Sequence, residues 1–362
     1  MSLDGSDLES WIRLSSIPGL SSTSQRKLLS AFGSPDAALR ASAGSVSSLL
    51  GQRAVEAWRG GPDADAVARA MDWLKIPGNT LLTLADTTYP QALITTPDPP
   101  PVLYAKGRLN LLSRSALSIV GARSATPSGI RDAEALAEAL GNTGLTIVSG
   151  LAIGIDAAAH RGGLRTEASS IAVVATGLDK VYPARNKRLA HELAEHGLLL
   201  SEFALGTPPL PANFPRRNRV ISGLSKGTLV VEAALHSGSL ITARQALDQG
   251  REVFAIPGSI HSPLSKGCHW LIKQGAKLVE SAGDVLEELG ISSTQAPSSA
   301  PGLSLSGVQL QLVEAMGFAP IDIDTLCERT QLPIETISTL LLNLELDGHI
   351  SRVPGGLFQR LM

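Results

Sequence analysis

The sequence predicts an α/β protein built around a doubly wound, mostly parallel sheet, with a small helical domain before it and a winged helix after it. Three observations predict this fold class. The 362 residues exceed one ordinary domain, short apolar runs alternate with amphipathic segments in the middle, and a Ser/Pro/Ala-rich stretch precedes the C-terminal part. The expected domains are residues 1–80, 81–290 and 304–362, with a linker at residues 291–303.

Residues 1–80 have a helical pattern. The stretch IPGLSSTSQRKLLSAFGSPDAAL, from Ile17 to Leu39, is similar to half of a helix-hairpin-helix or to a sterile-alpha-motif-like bundle. Two roles stay open for this region, packing on the central domain or direct contact with DNA. The stretch TTPDPPPVLYAKG then predicts an extended connection, because its prolines disfavour a helix.

Seven apolar runs between Ala116 and Leu289 predict the strands of the sheet, namely ALSIV, LTIVSG, SIAVVATG, GLLLSE, GTLVVEA, EVFAIPG and AKLVE. They are rich in Val, Ile and Leu without polar alternation, which is typical of strands buried on both faces. The segments between them are helical in period and often end at glycine. Repeated βα units predict a parallel sheet whose carboxyl edge forms a binding crevice.

The C-terminal part predicts three short helices followed by a hairpin that turns at Pro354-Gly355-Gly356, the pattern of a winged helix. The helix at residues 334–346 carries Glu335 and Glu345 and has no lysine or arginine. A helix that enters a phosphate-lined groove needs positive charge. We therefore expect this domain to pack or to contact protein.

Composition limits the possible functions. A net charge of −2 disfavours a protein that covers nucleic acid with its whole surface, but eight cations lie between Lys180 and Lys226 beside three carboxylates. They form either a solvated helix face or a local binding patch. Cys268 and Cys327 have no zinc-ligand spacing, so no disulfide or metal site is expected. The acidic N-terminus and the lack of a long apolar run predict a cytoplasmic protein without a membrane span.

The loop SIVGARSATPSG combines the features of a phosphate site. Gly121 permits a tight turn after a strand, and Thr126-Pro127 fits the start of a helix whose free N–H groups include those of Ser128 and Gly129. Arg123 stands in front of them. Neither G-x-G-x-x-G at this turn nor G-x-x-x-x-G-K-[ST] anywhere is present, so no nucleotide cofactor is expected.

Three further turns are expected at the same sheet edge. In VSGLAIGID, a helix begins near Asp156, and the pair Asp156 and His160 is interpreted as a helix cap and its neighbour because no third ligand or nucleophile is near. In FPRRNR, Arg216 and Arg219 lie about one helical turn apart, an arrangement that suits a row of phosphates. The third turn, HSGSLITARQAL, starts another helix. The predicted phosphate-binding residues of these turns are Ser149, Gly150, Gly154, Arg216, Asn218, Arg219, Ser239 and Thr242.

Long motifs in the sequence resemble the DNA-processing protein A (DprA or Smf) family over roughly Leu81 to Leu289. They are VGAR, SGLAIGIDAAAH, TGLDKVYPARN, SEFALG, FPRRNRVISGLSKGTLVVEA, SGSLITARQAL, FAIPGSI and GCHWLIKQGAKLV. The resemblance implies an extended Rossmann-like core in a bacterial cytoplasmic protein that binds and protects single-stranded DNA, forms a homodimer and loads RecA during natural transformation. It implies no enzyme activity and no cofactor.

The resemblance also implies residue roles. Arg123 and the arginines of FPRRNR would contact DNA phosphate. Ala184 stands where members often have lysine, and Arg185 and Lys187 would compensate for it. The dimer contact would include His269, Leu271, Ile272 and Leu278.

Two rival functions stay open. The SKGTLVVEA stretch keeps Gly227, Thr228 and Glu232 of nucleoside-monophosphate phosphoribohydrolases but lacks their preceding Pro-Gly, and we expect Glu232 to pair with an arginine instead. The other rival is a regulator that binds duplex DNA through the winged helix. Because aromatic residues make up only 4% of the chain, DNA binding should depend on phosphate contacts, with weak sequence preference and steep salt dependence.

Overall fold

A computed structural model describes residues 5–291, 307–318, 320–353 and 355–361. The N-terminal region is a bundle of six short helices. They are α1 (Gly5–Ser15), α2 (Ser22–Phe32), α3 (Pro35–Arg40), α4 (Ala43–Ser47), α5 (Gln52–Gly60) and α6 (Ala64–Leu74). Serine or aspartate side chains cap α2, α3, α4 and α6 by accepting the backbone N–H three residues on. Residues 5–74 are therefore mainly helical.

The central sheet has nine strands in the order β1-β2-β6-β5-β4-β3-β7-β8-β9. The strands are β1 (Asn79–Thr83), β2 (Val102–Gly107), β3 (Ala116–Val120), β4 (Thr146–Ser149), β5 (Ser170–Val173), β6 (Leu198–Ser201), β7 (Gly227–Val230), β8 (Glu252–Ala255) and β9 (Lys277–Leu278). Strands β3 to β9 pair in parallel, and all seven lie in the predicted apolar runs. The prediction of a mostly parallel sheet is confirmed.

Two strands were not predicted. Strand β2 pairs antiparallel with β6, and β1 pairs antiparallel with β2. Strand β2 falls in the stretch expected to be only an extended connection. Its prolines end just before Val102, so the N–H groups that the ladder needs are available.

Helices cover both faces of the sheet. They are α7 (Gln91–Ile94), α8 (Pro127–Asn142), α9 (Ile155–Leu164), α10 (Lys187–His196), α11 (Asn213–Leu224), α12 (Gly238–Asp248), α13 (Lys266–Lys273) and α14 (Ala282–Glu288). Two large apolar clusters pack between helices and sheet, one around Val120, Ile221 and Leu271 and one around Ile119, Ala133 and Phe254. This two-sided burial holds the carboxyl ends of the parallel strands at one edge.

The helical bundle packs on the sheet through an aromatic contact. Trp73 of α6 meets Tyr104 of β2 edge to face, with ring centroids 5.8 Å apart. Trp11, Leu81 and Leu205 belong to the same buried cluster. The role of packing on the central domain, one of the two left open by the sequence, is thus observed.

The C-terminal part is a winged helix with its own apolar core. It consists of α15 (Gly307–Met316), α16 (Ile323–Thr330), α17 (Ile334–Leu346), β10 (Ile350–Val353) and β11 (Leu357–Arg360). The three helices and the hairpin confirm the predicted pattern, although Pro354 of the predicted turn and most of the linker at residues 291–303 lie outside the described residues.

Candidate functional site

The loops that follow β3, β4 and β7 surround a cleft of about 620 Å³ at the carboxyl edge of the sheet, together with helices α11 and α12. We call it the carboxyl-edge cleft. Predicted residues that line it are Gly121, Arg123, Asn218, Ser239 and Thr242. The lining also includes Arg217, one of the FPRRNR arginines, together with Phe214 and Ser237, which were not among the predicted phosphate-binding residues. A smaller recess of about 80 Å³ beside it shares Arg123, Ala152, Phe214 and Arg217.

Arg217 is the charged residue at the base of the cleft. It is only 5% exposed, and its guanidinium donates to the carbonyl oxygens of Gly150 and Val173. A Cβ on Gly150 would collide with this guanidinium, so glycine is needed there for close approach. Burial lowers the pKa of Arg217 to about 10, which Asp156 partly opposes, so the group remains positive at neutral pH.

The buried Nε–H of Arg217 has no acceptor among the described residues. An unsatisfied buried donor on a charged group costs free energy, and an anion that reached this nitrogen would supply the missing acceptor. The residue spacing alone predicted Arg216 and Arg219, whereas Arg217 was included only through the family resemblance, as one of the FPRRNR arginines. A signal was available, since Arg217 lies three, four and seven residues before Val220, Ile221 and Leu224 on the buried face of α11.

Asp156 and His160 support the cleft wall. The Asp156 carboxylate accepts the N–H groups of Gly150 and Ala152, at 3.1 and 3.3 Å. His160 Nε2 accepts the Leu151 N–H at 3.2 Å, and its Nδ1 lies 2.7 Å from the Ser170 hydroxyl. Burial lowers the pKa of His160 to about 3, with Arg217 and Arg161 adding to the effect. A neutral, fully bonded imidazole fixes the loop, so His160 has a structural role, as interpreted. The expectation that Asp156 caps the helix is wrong, because Gly154 holds the cap position and the Asp156 carboxylate binds loop N–H groups instead.

The mouth of the cleft combines a cation with aromatic rings. The Arg123 guanidinium is exposed and lies 5.4 Å from the centroid of the Phe214 ring. Tyr182, itself 44% exposed, lies 6.0 Å from Phe214 between ring centroids. This arrangement can bind a phosphate and a flat apolar group side by side.

The start of helix α8 is already occupied by a carboxylate. Thr126 caps the helix by accepting the Gly129 N–H at 3.0 Å, as predicted. However, Glu232 accepts the Thr126 N–H at 2.9 Å and the Thr126 hydroxyl at 2.6 Å. A Cβ on Gly129 would lie 2.5 Å from the Glu232 carboxyl carbon, so Glu232 covers this helix end.

Three expectations need correction here. Gly129 lies beside the Glu232 carboxylate, which repels a second anion, and neither Ser128 nor Gly129 lines the cleft. The expectation that Glu232 pairs with an arginine is wrong, because its observed partner is Thr126. Ser149 is fully buried and donates its hydroxyl to the Ile119 carbonyl, so that hydroxyl is not available to a ligand.

Helix α11 presents its arginines on different sides. Arg219 donates to the carboxylate of Glu202 and to the backbone carbonyl of Asp98, and its side chain is 13% exposed. Arg216 is exposed and lies over the Phe203 ring, 5.2 Å from its centroid. Neither lines the carboxyl-edge cleft. The expected row of two phosphate-binding arginines is therefore not formed in the cleft, because ion pairing holds Arg219 against Glu202.

The remaining predicted residues lie around the cleft. Gly154 begins α9 at φ +79, in close contact with the Ala122 carbonyl. Arg185 lines an adjacent groove of about 270 Å³ that also contains Arg123 and Arg161. Lys187 is exposed at the start of α10. These cations extend the positive surface beyond the cleft.

The expected dimer-contact residues divide into two groups. Leu271 is 2% exposed and belongs to the core, so its assignment to a surface contact is wrong. His269 and Ile272 are partly buried, and Leu278 is 40% exposed on β9 at the sheet edge. Trp270 and Ile260, which were not among the expected contact residues, are 46% and 66% exposed.

Comparison with known proteins then identifies the family. A family model described as DNA recombination-mediator protein A matches residues 80–290, and one described as the DprA winged helix domain matches residues 295–356. The chain belongs to the DprA/Smf family. Protein Smf of Escherichia coli is 45% identical over 299 residues, which cover 80% of each chain. DprA of Streptococcus pneumoniae is 47% identical over 217 residues, 60% of this chain and 76% of the relative.

Solved DprA structures agree in fold. The Streptococcus pneumoniae DprA structure aligns at a TM-score of 0.68 with 38% identity and covers 80% of this chain and 99% of that one. A Helicobacter pylori DprA, described for its single-stranded DNA binding mode, aligns at 0.53 with 31% identity and covers 58% of this chain and 95% of that one. A DNA-processing role follows for this DprA/Smf member.

No helix in residues 5–291, 307–318, 320–353 and 355–361 is long and apolar enough to cross a bilayer. Within the same ranges, no group of three or more His, Cys, Asp or Glu side chains is arranged to hold a metal ion.

Proposed function

We propose that this DprA/Smf chain binds single-stranded DNA by its phosphates in the carboxyl-edge cleft. The buried, positive Arg217 with its unpartnered Nε–H is the observation that carries the proposal. Arg123 at the mouth adds a second, exposed guanidinium. Arginine presents a fixed set of donors that matches phosphate oxygens, so the two together suit neighbouring phosphates of one strand.

Phe214 and Tyr182 favour a single strand over a duplex. Base faces are accessible for stacking only when the bases are unpaired, and aromatic stacking tolerates any base. Two rings at one mouth provide one stacking position. Phosphate contacts therefore supply most of the affinity, and sequence preference is weak.

The proposal extends to assembly. A second copy of the chain would pack on the exposed apolar residues Ile260, Trp270 and Leu278, and the homodimer would load RecA onto the bound strand. No catalytic step is part of this function. The commitment of Glu232 to Thr126 removes the carboxylate that a phosphoribohydrolase reaction would need.

The test is a titration with single- and double-stranded oligonucleotides at several salt concentrations. Between roughly 50 and 200 mM salt, we expect the dissociation constant for the single strand to rise steeply, because bound phosphates release counterions. We also expect the single strand to bind more tightly than the duplex at each concentration. A dissociation constant that is insensitive to salt, tighter duplex binding, or release of free base from AMP would contradict the proposal.

A further inference from the structure

A second cleft, of about 550 Å³, lies at the opposite edge of the sheet, where the parallel strands begin. We call it the amino-edge cleft. Three cationic residues that line it each precede one of three neighbouring strands. Arg114 precedes β3, Lys226 precedes β7 and Arg251 precedes β8. Since adjacent strands lie about 4.8 Å apart, the topology sets these cations side by side.

The cations are poorly neutralised. The lining includes no carboxylate, and neither Lys226 nor Arg251 has an ion-pair partner within the part of the chain that the structure describes. Arg114 meets only Glu167, at 3.9 Å, and Glu167 is 91% exposed. An ion pair so exposed is worth little. The cleft therefore holds a positive charge that is largely uncompensated.

One cation is fixed in place. Arg251 donates from Nη2 to the Ala92 carbonyl at 2.8 Å and to the Thr95 hydroxyl at 3.1 Å, while its buried Nε has no partner among the described residues. Cations near a helix carboxyl end also offset the helix dipole, and α11 ends at Leu224 in this cleft. The carboxyl end of α11 carries about half a negative charge, so it neutralises only part of the three positive charges in the cleft.

The floor of the cleft is apolar. Leu109, Leu112 and Leu224 line it and pack against the core below. A ligand that fits must join anionic oxygens to a flat apolar body, and a nucleotide has this combination. An inorganic anion would satisfy the cations but leave the leucine floor uncovered.

We propose that the amino-edge cleft is a second nucleotide-binding site, separate from the carboxyl-edge cleft. Its ligand is a nucleotide unit, either free or within a DNA strand already held by the protein. The strand alternative rests on the proposed function. Phosphates contact Arg114, Lys226 and Arg251, and the base covers the leucine floor.

The test uses the full chain carrying Arg123→Ala, which weakens the carboxyl-edge cleft, with and without Lys226→Glu. The probes are ATP and a thymidine oligonucleotide, followed by calorimetry. Lys27→Glu is the matched control, because Lys27 is an exposed lysine on α2 and its substitution changes the net charge equally. Thermal unfolding checks each variant, and Arg114→Gln replaces Lys226→Glu if the latter does not fold.

We expect the Arg123→Ala chain to retain salt-sensitive binding of ATP, of the oligonucleotide or of both. Adding Lys226→Glu should weaken this residual binding about fivefold or more. Adding Lys27→Glu should change it less than about twofold. The probe that is affected identifies the source of the nucleotide. Equal binding by the Lys226→Glu and Lys27→Glu variants, or no residual binding, overturns the proposal. If the chain with only Arg123→Ala binds the oligonucleotide as tightly as the unsubstituted chain does, the proposed function is overturned instead.

Discussion

The carboxyl-edge cleft and helix α17 are the two places where folds of these kinds ordinarily contact nucleic acid, and they differ in charge. The cleft holds Arg217 at its base and Arg123 at its mouth. Helix α17 exposes Leu342 and Leu346 and carries no lysine or arginine, in a domain with seven carboxylates and three arginines at residues 304–362. Fold class alone thus does not locate a nucleic-acid interface, because charge must be present on the surface that the fold offers.

The two regions also differ in what lies beneath their surfaces. A buried polar network of Asp156, His160 and Arg217 supports the cleft. The winged helix rests on an apolar core that includes Leu326, Leu341 and Phe358. Changes beneath the cleft should therefore affect both stability and binding.

The largest effect is expected for Arg217→Met. Removal of the guanidinium leaves Asp156 buried without its nearby positive charge, which should lower the free energy of unfolding by about 3–5 kcal/mol. Denaturant unfolding measures this loss. Arg216→Met on the same helix is the control, because Arg216 is exposed, and we expect it to cost about 1 kcal/mol or less. Equal losses in the two variants would show that Arg217 does not support the cleft.

Acid should destabilise the cleft region through His160. Its folded-state pKa of about 3 lies below the ordinary value of 6.5, so below about pH 6.5 the unfolded chain takes up a proton that the folded protein excludes. This contribution is fully present above pH 6.5. The free energy of unfolding therefore decreases as the pH is lowered from about 6.5 to about 3, by up to about 1.4 kcal/mol per pH unit.

Urea unfolding at several pH values checks this prediction. In His160→Gln, the slope of unfolding free energy against pH should be smaller than in the unsubstituted protein. His191→Gln serves as the control, since His191 is exposed on α10 and should leave the slope unchanged. A slope that His160→Gln does not alter would show that the pKa of this imidazole is the same in the folded and unfolded chain, which contradicts the prediction.

Phe214→Ala should weaken single-strand binding by about 1–3 kcal/mol, because it removes the ring on which a base can stack. Fluorescence titration with a thymidine oligonucleotide gives the value. Phe318→Ala in the winged helix, where Phe318 is 69% exposed, should change binding less than about twofold. If the two variants weaken binding equally, the contrast between the two regions does not hold.

The smallest effect is expected in the wing. Arg352 of β10 lies over the Phe358 ring and 3.8 Å from Glu345, so its charge is partly balanced. We expect Arg352→Ala to change the dissociation constants for single strands and for duplex by less than about twofold, measured by gel shift. A tenfold loss, about 1.4 kcal/mol, would place the wing in the interface.

Much of the fold could be predicted because its determinants are local. Strands β3 to β7 are buried on both faces, and Thr126-Pro127 starts α8 as its residue types require. The site was harder to predict, because it depends on how the elements pack. The closure of the α8 start by Glu232, 106 residues away in sequence, has no local signal. Arg217 followed only from the family resemblance, although its position on the apolar face of α11 is a local signal.

The central claim is that the carboxyl-edge cleft binds DNA phosphate through its arginines. Its most direct test is a titration of the full chain and of Arg123→Ala with one single-stranded oligonucleotide at fixed salt. Because Arg123 is exposed, the substitution should leave thermal unfolding unchanged, and we predict binding weaker by about tenfold or more. If the Arg123→Ala variant folds normally and binds the strand with unchanged affinity, the claim is contradicted.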